Sequence, residues 1–200
     1  MAYTMQFDGL FRRFSEDHYP AELSGLLCFG WLVYRDELII AQGHGAFVRH
    51  KGASSNAAEY LALIEGLDAM SDMGIDHENI LVSGDAKSII DQMLGFASVS
   101  SEAIRPLYIQ ARRLADDFYN LQWVWTPRKN NRAADWLSRR AMRQISADRR
   151  VYLTAVKAMK KGSGRWQRSA RLLPLIDLRI YQPASQIVMA GRSPAFLPVF

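Results

Sequence analysis

One cysteine stands in 200 residues, Cys28, inside the apolar run "GLLCFGWLVY". It excludes an internal disulfide and reads as a core side chain; the scarcity fits a reducing compartment, and a cytoplasmic location is expected. Uninterrupted apolar runs are also missing. The longest, "LSGLLCFGWLVY", contains glycines and is too short to span a bilayer. The first residues lack a basic region followed by an apolar core and a small-residue cleavage site, so no secretory signal and no membrane association are expected. No internal repeat is present.

Charge is unevenly spread. Residues 1–138 hold 12 Lys+Arg against 18 Asp+Glu, a balance of −6, whereas residues 139–200 hold 13 against 2, a balance of +11. An acidic working domain with a basic end that seeks a polyanion is the reading this split favours. The plainer alternative is a tail that aids solubility or docks on the acidic half. The domain is expected over 1–148. Residues 149–200 read as a basic extension interrupted by Pro174, Pro183, Pro194 and Pro198, with apolar pieces that lay a strand or two on the domain or make a protein contact. Self-association or a protein partner through this extension stays open.

Periodicity sets the order of elements. Residues 3–11, 25–34 and 38–48 alternate or run apolar as strands, joined by short turns. From Ser54 the period becomes helical, with apolar residues at 60, 63, 64, 67 and 70, N-caps offered by Ser54, Ser55 and Asn56, and a stop at Gly74. "NILVSG" and "LQWVWT" are further strands. "DAKSIIDQML", "SEAIRPLYIQARRLADDF" and "NNRAADWLSRRAMRQI" are helices, with Pro106 either in the first turn of its own or bending it. The order β-β-β-α-β-α-α-β-α predicts an α/β fold: a five-stranded mixed sheet with helices on both faces. Trp31, Trp123 and Trp125 are expected in the core, and His44 reads as structural.

Four carboxylates fall at the ends of elements: Asp8 on the first strand, Glu59 in the first turn of the long helix, Asp85 directly after "NILVSG", and Asp135 early in the last helix. Each has a bland reading. Asp8 before Gly9 suits a turn; Asn56 and Glu59 suit a capping box; Asp85 suits an N-cap; Asp135 and Arg139 suit an exposed i,i+4 pair. Together they suggest something else, because strand ends and helix starts of such a sheet meet at one crevice. Carboxylates converging there repel one another unless some stay protonated or a divalent cation joins them. Mg²⁺ prefers oxygen ligands, and two such ions clamp an in-line displacement at phosphorus.

The segments "FDG", "NAAEYLALIEGL", "SGDAKSII" and "WTPRKNNRAADWLSRRA" resemble ribonuclease H type I over about residues 3–145. The flavour is that of the short archaeal and bacterial enzymes and the plant reverse-transcriptase-like domains. The resemblance implies a ribonuclease H-like fold and a metal-dependent endonuclease that hydrolyses the RNA strand of RNA–DNA hybrids, leaving 5′-phosphate products, with two ions of Mg²⁺ or Mn²⁺. It implies that Asp8 bridges both metals, that Glu59 and Asp85 complete the ligand set, and that Asp135 holds the second ion. Gly9 and Asn56 would lie against the hybrid, with Lys87, Arg128, Lys129 and Asn131 also on the nucleic-acid side. Departures are Leu10 after "FDG", Ala86 in place of the usual Ser after the third acid, no His before the last Asp, and no basic protrusion with tryptophans. The extension, with Arg165 and Arg168, would supply the missing hold on phosphates. The rival readings are a catalytically weak nucleic-acid-binding module of this fold, a scaffold protein, and a 3′–5′ exonuclease. The last usually carries Asp-x-Glu on its first strand, where this chain has Asp8-Gly9-Leu10.

Overall fold

The computed structural model of the protein describes residues 2–13, 25–49, 52–148, 150, 153, 171–172 and 177–180. Strands β1 (Ala2–Arg13), β2 (Gly25–Arg35) and β3 (Leu38–Arg49) are followed by helix α1 (Ser55–Asp72) and strand β4 (Asn79–Gly84). Then come α2 (Lys87–Met93), α3 (Arg105–Asp116), β5 (Asn120–Trp125) and α4 (Arg132–Ala147). The sheet runs β5-β4-β1-β2-β3. β1, β2 and β3 pair antiparallel, while β1, β4 and β5 pair parallel, so the sheet is mixed. Two short strands of the extension, β6 (Arg171–Leu172) and β7 (Asp177–Ile180), pair antiparallel with β3 and cover part of its outer edge. An edge strand presents unpaired N–H and C=O groups, which explains why so short a segment finds its partner there.

β2 shows why its sequence is apolar without alternation. Helices lie on both faces of the sheet, α1 on one and α4 on the other, and both pack on β2, so nearly every residue of the strand is buried. The larger core lies on the α1 side and includes Phe7, Phe29, Trp31, Leu63 and Leu67. The smaller one, on the α4 side, holds Cys28 with Leu26, Val48, Ala141, Met142 and Ile145. Burial pushes the Cys28 thiol up to about 12, which leaves it an inert hydrophobe.

Helix α1 starts where Ser54, in extended backbone, accepts from the amide of Ala57 at 3.2 Å. It is buried almost all round because α3 covers the side away from the sheet. Pro106 falls in the first turn of α3, as its missing amide requires. Trp125 departs from the expected core position. β5 is the sheet's edge beyond β4, so Trp125 is 45% exposed, and its indole N–H donates to the carbonyl of Asp85 at 3.1 Å. Among the described residues no helix is long and apolar enough to cross a membrane.

Candidate functional site

The β1–β4 parallel ladder ends at the pair Phe7–Gly84. Asp8 is therefore the first residue of β1 beyond the end of β4, and Asp85 is the first residue after β4 itself. The turn reading of Asp8 does not hold: β1 continues to Arg13, and Asp8 sits opposite Gly30 in the β1–β2 pairing. The capping readings of Glu59 and Asp85 fail as well. Ser54 caps α1, and α2 starts without a side-chain cap.

Two glycines let helices descend on this point. A Cβ at Gly9 would lie 2.2 Å from the backbone carbon of Ala58 and the nitrogen of Glu59. Only a residue without a side chain lets α1 lie this close, so the packing of α1 accounts for glycine at position 9. On the opposite face, a Cβ at Gly30 would lie 2.5 Å from the Cβ of Leu137 and 2.6 Å from the nitrogen of Ser138. Successive residues of a strand point to opposite faces. Gly9 thus meets α1 while Asp8 points to α4.

Carboxylate oxygens of Asp8, Glu59 and Asp85, from three different elements, lie within 4.8 Å of one another. Each acid has one oxygen held by an internal donor. The Gly9 amide donates to Oε2 of Glu59 at 3.0 Å. The side-chain amide of Asn131 donates to Oδ1 of Asp85 at 3.3 Å, and the hydroxyl of Ser138 donates to Oδ2 of Asp8. Asp8 and Glu59 are 4% and 9% exposed, and Asp85 is half-buried. Burial pushes the Asp8 carboxyl up to about 6; the Ser138 hydrogen bond pulls it down, and the charges of Asp85 and Asp135 push it further up. Burial, then the charges of Asp8 and Asp85, raise Glu59 well above the carboxylate range. Such a set, all oxygen, crowded and poorly solvated, fits a hard divalent cation, whose charge relieves the repulsion.

Asp135 stands apart from this triad. Its two oxygens are taken by guanidinium groups, Oδ1 by Arg128 at 2.5 Å and Oδ2 by Arg139 at 2.6 Å. Burial raises its carboxyl, but the bonds from Arg139 and Arg128 outweigh burial and hold it below the usual range. The bland i,i+4 pair with Arg139 is thus present, although Asp135 is near enough to raise Asp8 by its charge.

Asn131 requires a correction. It was expected on the nucleic-acid side, yet it is fully buried. Its amide donates to the Phe7 carbonyl at 2.8 Å as well as to Asp85, tying the ends of β1 and β4 together. Lys87 is exposed and paired with Asp91 at 2.6 Å. Asn56, Arg128 and Lys129 are exposed near the start of α1 and in the turn before α4. Buried His44 meets Gln144 of α4 at 3.0 Å, a structural contact. Arg165 and Arg168 lie outside the described residues. Ser138 escaped the sequence reading. Its one signal is the spacing Asp135-x-x-Ser138 on the buried stripe of α4, which also fits a plain core serine.

A sheet-end carboxylate centre flanked by helices from both faces defines the class. The reverse transcriptase-like family model matches residues 29–141, more than half of the sequence, and the chain belongs to that family. Ribonuclease HI of Halobacterium salinarum is 34% identical over 119 residues, 59% of this chain and 57% of that protein. The bifunctional protein Rv2228c of Mycobacterium tuberculosis is 38% identical over 90 residues, 45% of this chain and 24% of its own length. The chain therefore spans less than two thirds of either relative. The solved structure of RNase H1 from Halobacterium salinarum superposes with a TM-score of 0.60 at 28% identity, covering 72% of this chain and 99% of that one. The N-terminal RNase H domain of Rv2228c gives 0.59 at 28% identity, covering 73% and 96%. The fold is the ribonuclease H fold.

Proposed function

We propose that the chain is a metal-dependent endonuclease that hydrolyses the RNA strand of RNA–DNA hybrids. The observation that carries this reading is the meeting of Asp8, Glu59 and Asp85 within 4.8 Å, just beyond the end of the β1–β4 ladder. The names of the relatives, a ribonuclease HI and an RNase H domain, support the same reaction. Asp8, Glu59 and Asp85 would hold one ion of Mg²⁺ or Mn²⁺, and Asp135 would serve the second of two. Such ions, held there, would supply a nucleophilic water at neutral pH and stabilise charge on the leaving oxygen.

The chain's own groups do the remaining work. The internal donors on Asp8, Glu59 and Asp85 fix which oxygens are presented. The indole of Trp125 holds the backbone at Asp85. Arg128, exposed and paired with Asp135, would meet a phosphate if Asp135 held an ion instead. Asn56, Lys87 and Lys129, all exposed, would meet the nucleic acid, and Gly9 lets α1 lie close against β1. The basic extension, Arg165 and Arg168 included, adds sequence-independent hold on phosphates.

The test is cleavage of an end-labelled RNA–DNA hybrid, RNA duplex and single strands with Mg²⁺, Mn²⁺ or EDTA. Internal cuts in the hybrid's RNA strand are expected, and they should vanish in EDTA. Asp8→Asn should lower the rate by at least about 10²-fold, since a metal ion contributes several kcal/mol of charge stabilisation. No metal-dependent cutting, or cutting that Asp8→Asn leaves intact, refutes the reading.

A further inference from the structure

We propose that Ser138 is a positioning residue of the carboxylate centre: its hydroxyl holds Oδ2 of Asp8 and leaves Oδ1 as the oxygen available to a cation. The inference rests on the site being a cation centre, but its test needs no nucleic acid.

Ser138 is fully buried on α4, and its Oγ lies within hydrogen-bond reach of two acceptors, Oδ2 of Asp8 and the carbonyl of Asp135, the latter at 3.0 Å. A hydroxyl has one proton to give. The ordinary role of a mid-helix serine is to bond back to a carbonyl of the preceding turn, here that of Asp135. An ionised carboxylate is the stronger acceptor, so the proton goes to Asp8 whenever Asp8 carries charge. The carbonyl of Asp135 still has the backbone bond that its helix supplies.

The approach is built into the sheet. Gly30 is the cross-strand neighbour of Asp8, and the space a Cβ there would need is filled by Leu137, by the backbone nitrogen of Ser138 and by the carbonyl of Ala134. The turn of α4 that carries Ser138 therefore rests against the strand pair at Asp8. Gly9 does the same for α1 on the other face, where its amide holds Glu59. Asn131 holds Asp85 from the turn before α4. Ser138 is the third member of one scheme, in which each acid of the triad gives one oxygen to a donor of the protein. It fixes the carboxylate that stands at the junction of both helices.

Hydrogen bonds that hold a metal's ligands from behind typically affect affinity by about 10–100-fold. Full-length Ser138→Ala should therefore bind Mn²⁺ about 10-fold or more weakly, measured by the disappearance of the free Mn²⁺ signal in electron paramagnetic resonance. Ser138→Cys keeps the volume with a weak donor and should fall between it and wild type. Ile145→Val, a packing change in the same helix away from Asp8, should bind Mn²⁺ like wild type. Unchanged affinity in both Ser138 variants overturns the proposal, as does an equal loss in Ile145→Val. Hybrid cleavage together with unchanged Mn²⁺ affinity in Ser138→Ala ends this inference and spares the nuclease reading. Weakened Mn²⁺ binding without any cleavage by wild type does the reverse.

Discussion

Asp8 is an acid placed where its ionised form is poorly solvated, and this has a measurable cost. Its carboxyl stands at about 6 in the folded chain against 3.8 as the ordinary value, with burial the main cause. Below pH ~3 both folded and unfolded chains hold the proton, and Asp8 costs nothing. As pH rises from there through about 6, the unfolded chain ionises first, so stability falls; Glu59, also raised, acts in the same direction. Urea midpoints of the cation-free protein should accordingly drop between pH ~3 and ~7 more steeply for wild type than for Asp8→Asn. The difference is on the order of 3 kcal/mol, from about two pKa units at about 1.4 kcal/mol each. Added Mn²⁺ should remove most of the drop, because a cation favours the ionised forms. Equal pH slopes for the two proteins would show that Asp8 carries no such penalty. The sequence placed Asp8 on the first strand but did not show the cost, since burial depends on α1 and α4, whose contacts at this point come from residues about 50 and 130 positions later.

At the scale of elements, the centre depends on how closely two helices approach one strand pair. Gly30→Ala tests this for α4. The new Cβ would lie 2.5–2.7 Å from atoms of Leu137, Ser138 and Ala134, two of them backbone, so α4 or β2 must move. Overpacking of this kind costs about 1–3 kcal/mol. The denaturation midpoint should fall accordingly, and Mn²⁺ affinity should fall with it because Ser138 moves with its helix. A variant as stable as wild type would mean that the packing has slack. The elements themselves were legible. The change of period at Ser54 marked α1, and the apolar run at 25–34 marked β2 as a strand. Their caps were partly so: of the candidates Ser54, Ser55 and Asn56, Ser54 caps the helix, while the capping box of Asn56 and Glu59 does not form and Glu59 accepts from the Gly9 amide instead. Pattern matching sees residues three apart and not the strand lying across them.

At the scale of the molecule, the basic extension and the acidic domain are joined through the sheet. β6 and β7 pair with β3, so truncation after Asp148 removes the strands that cover this edge. The shortened chain should self-associate more readily, which sedimentation at several concentrations will show. Residues 149–200 also carry 10 Lys+Arg against 1 Asp, so the same truncation should weaken hybrid binding in EDTA. It should lower the slope of log affinity against log salt by up to ~0.9 for each phosphate no longer neutralised. An unchanged slope would confine the extension to a structural role. By itself the sequence determined the order of elements and singled out four acids, because periodicity is a local property; it set Asp8 at a strand end and Glu59 in a first turn, whereas β1 runs on to Arg13 and the first turn of α1 holds no acid. The tertiary structure decided the rest. It gathered Asp8, Glu59 and Asp85, gave Asp135 to two arginines, buried Asn131 between strand ends and set Ser138 beside Asp8. Those contacts span up to 130 residues and exist because glycines on opposite faces of one strand pair let two helices approach, which no local spacing records.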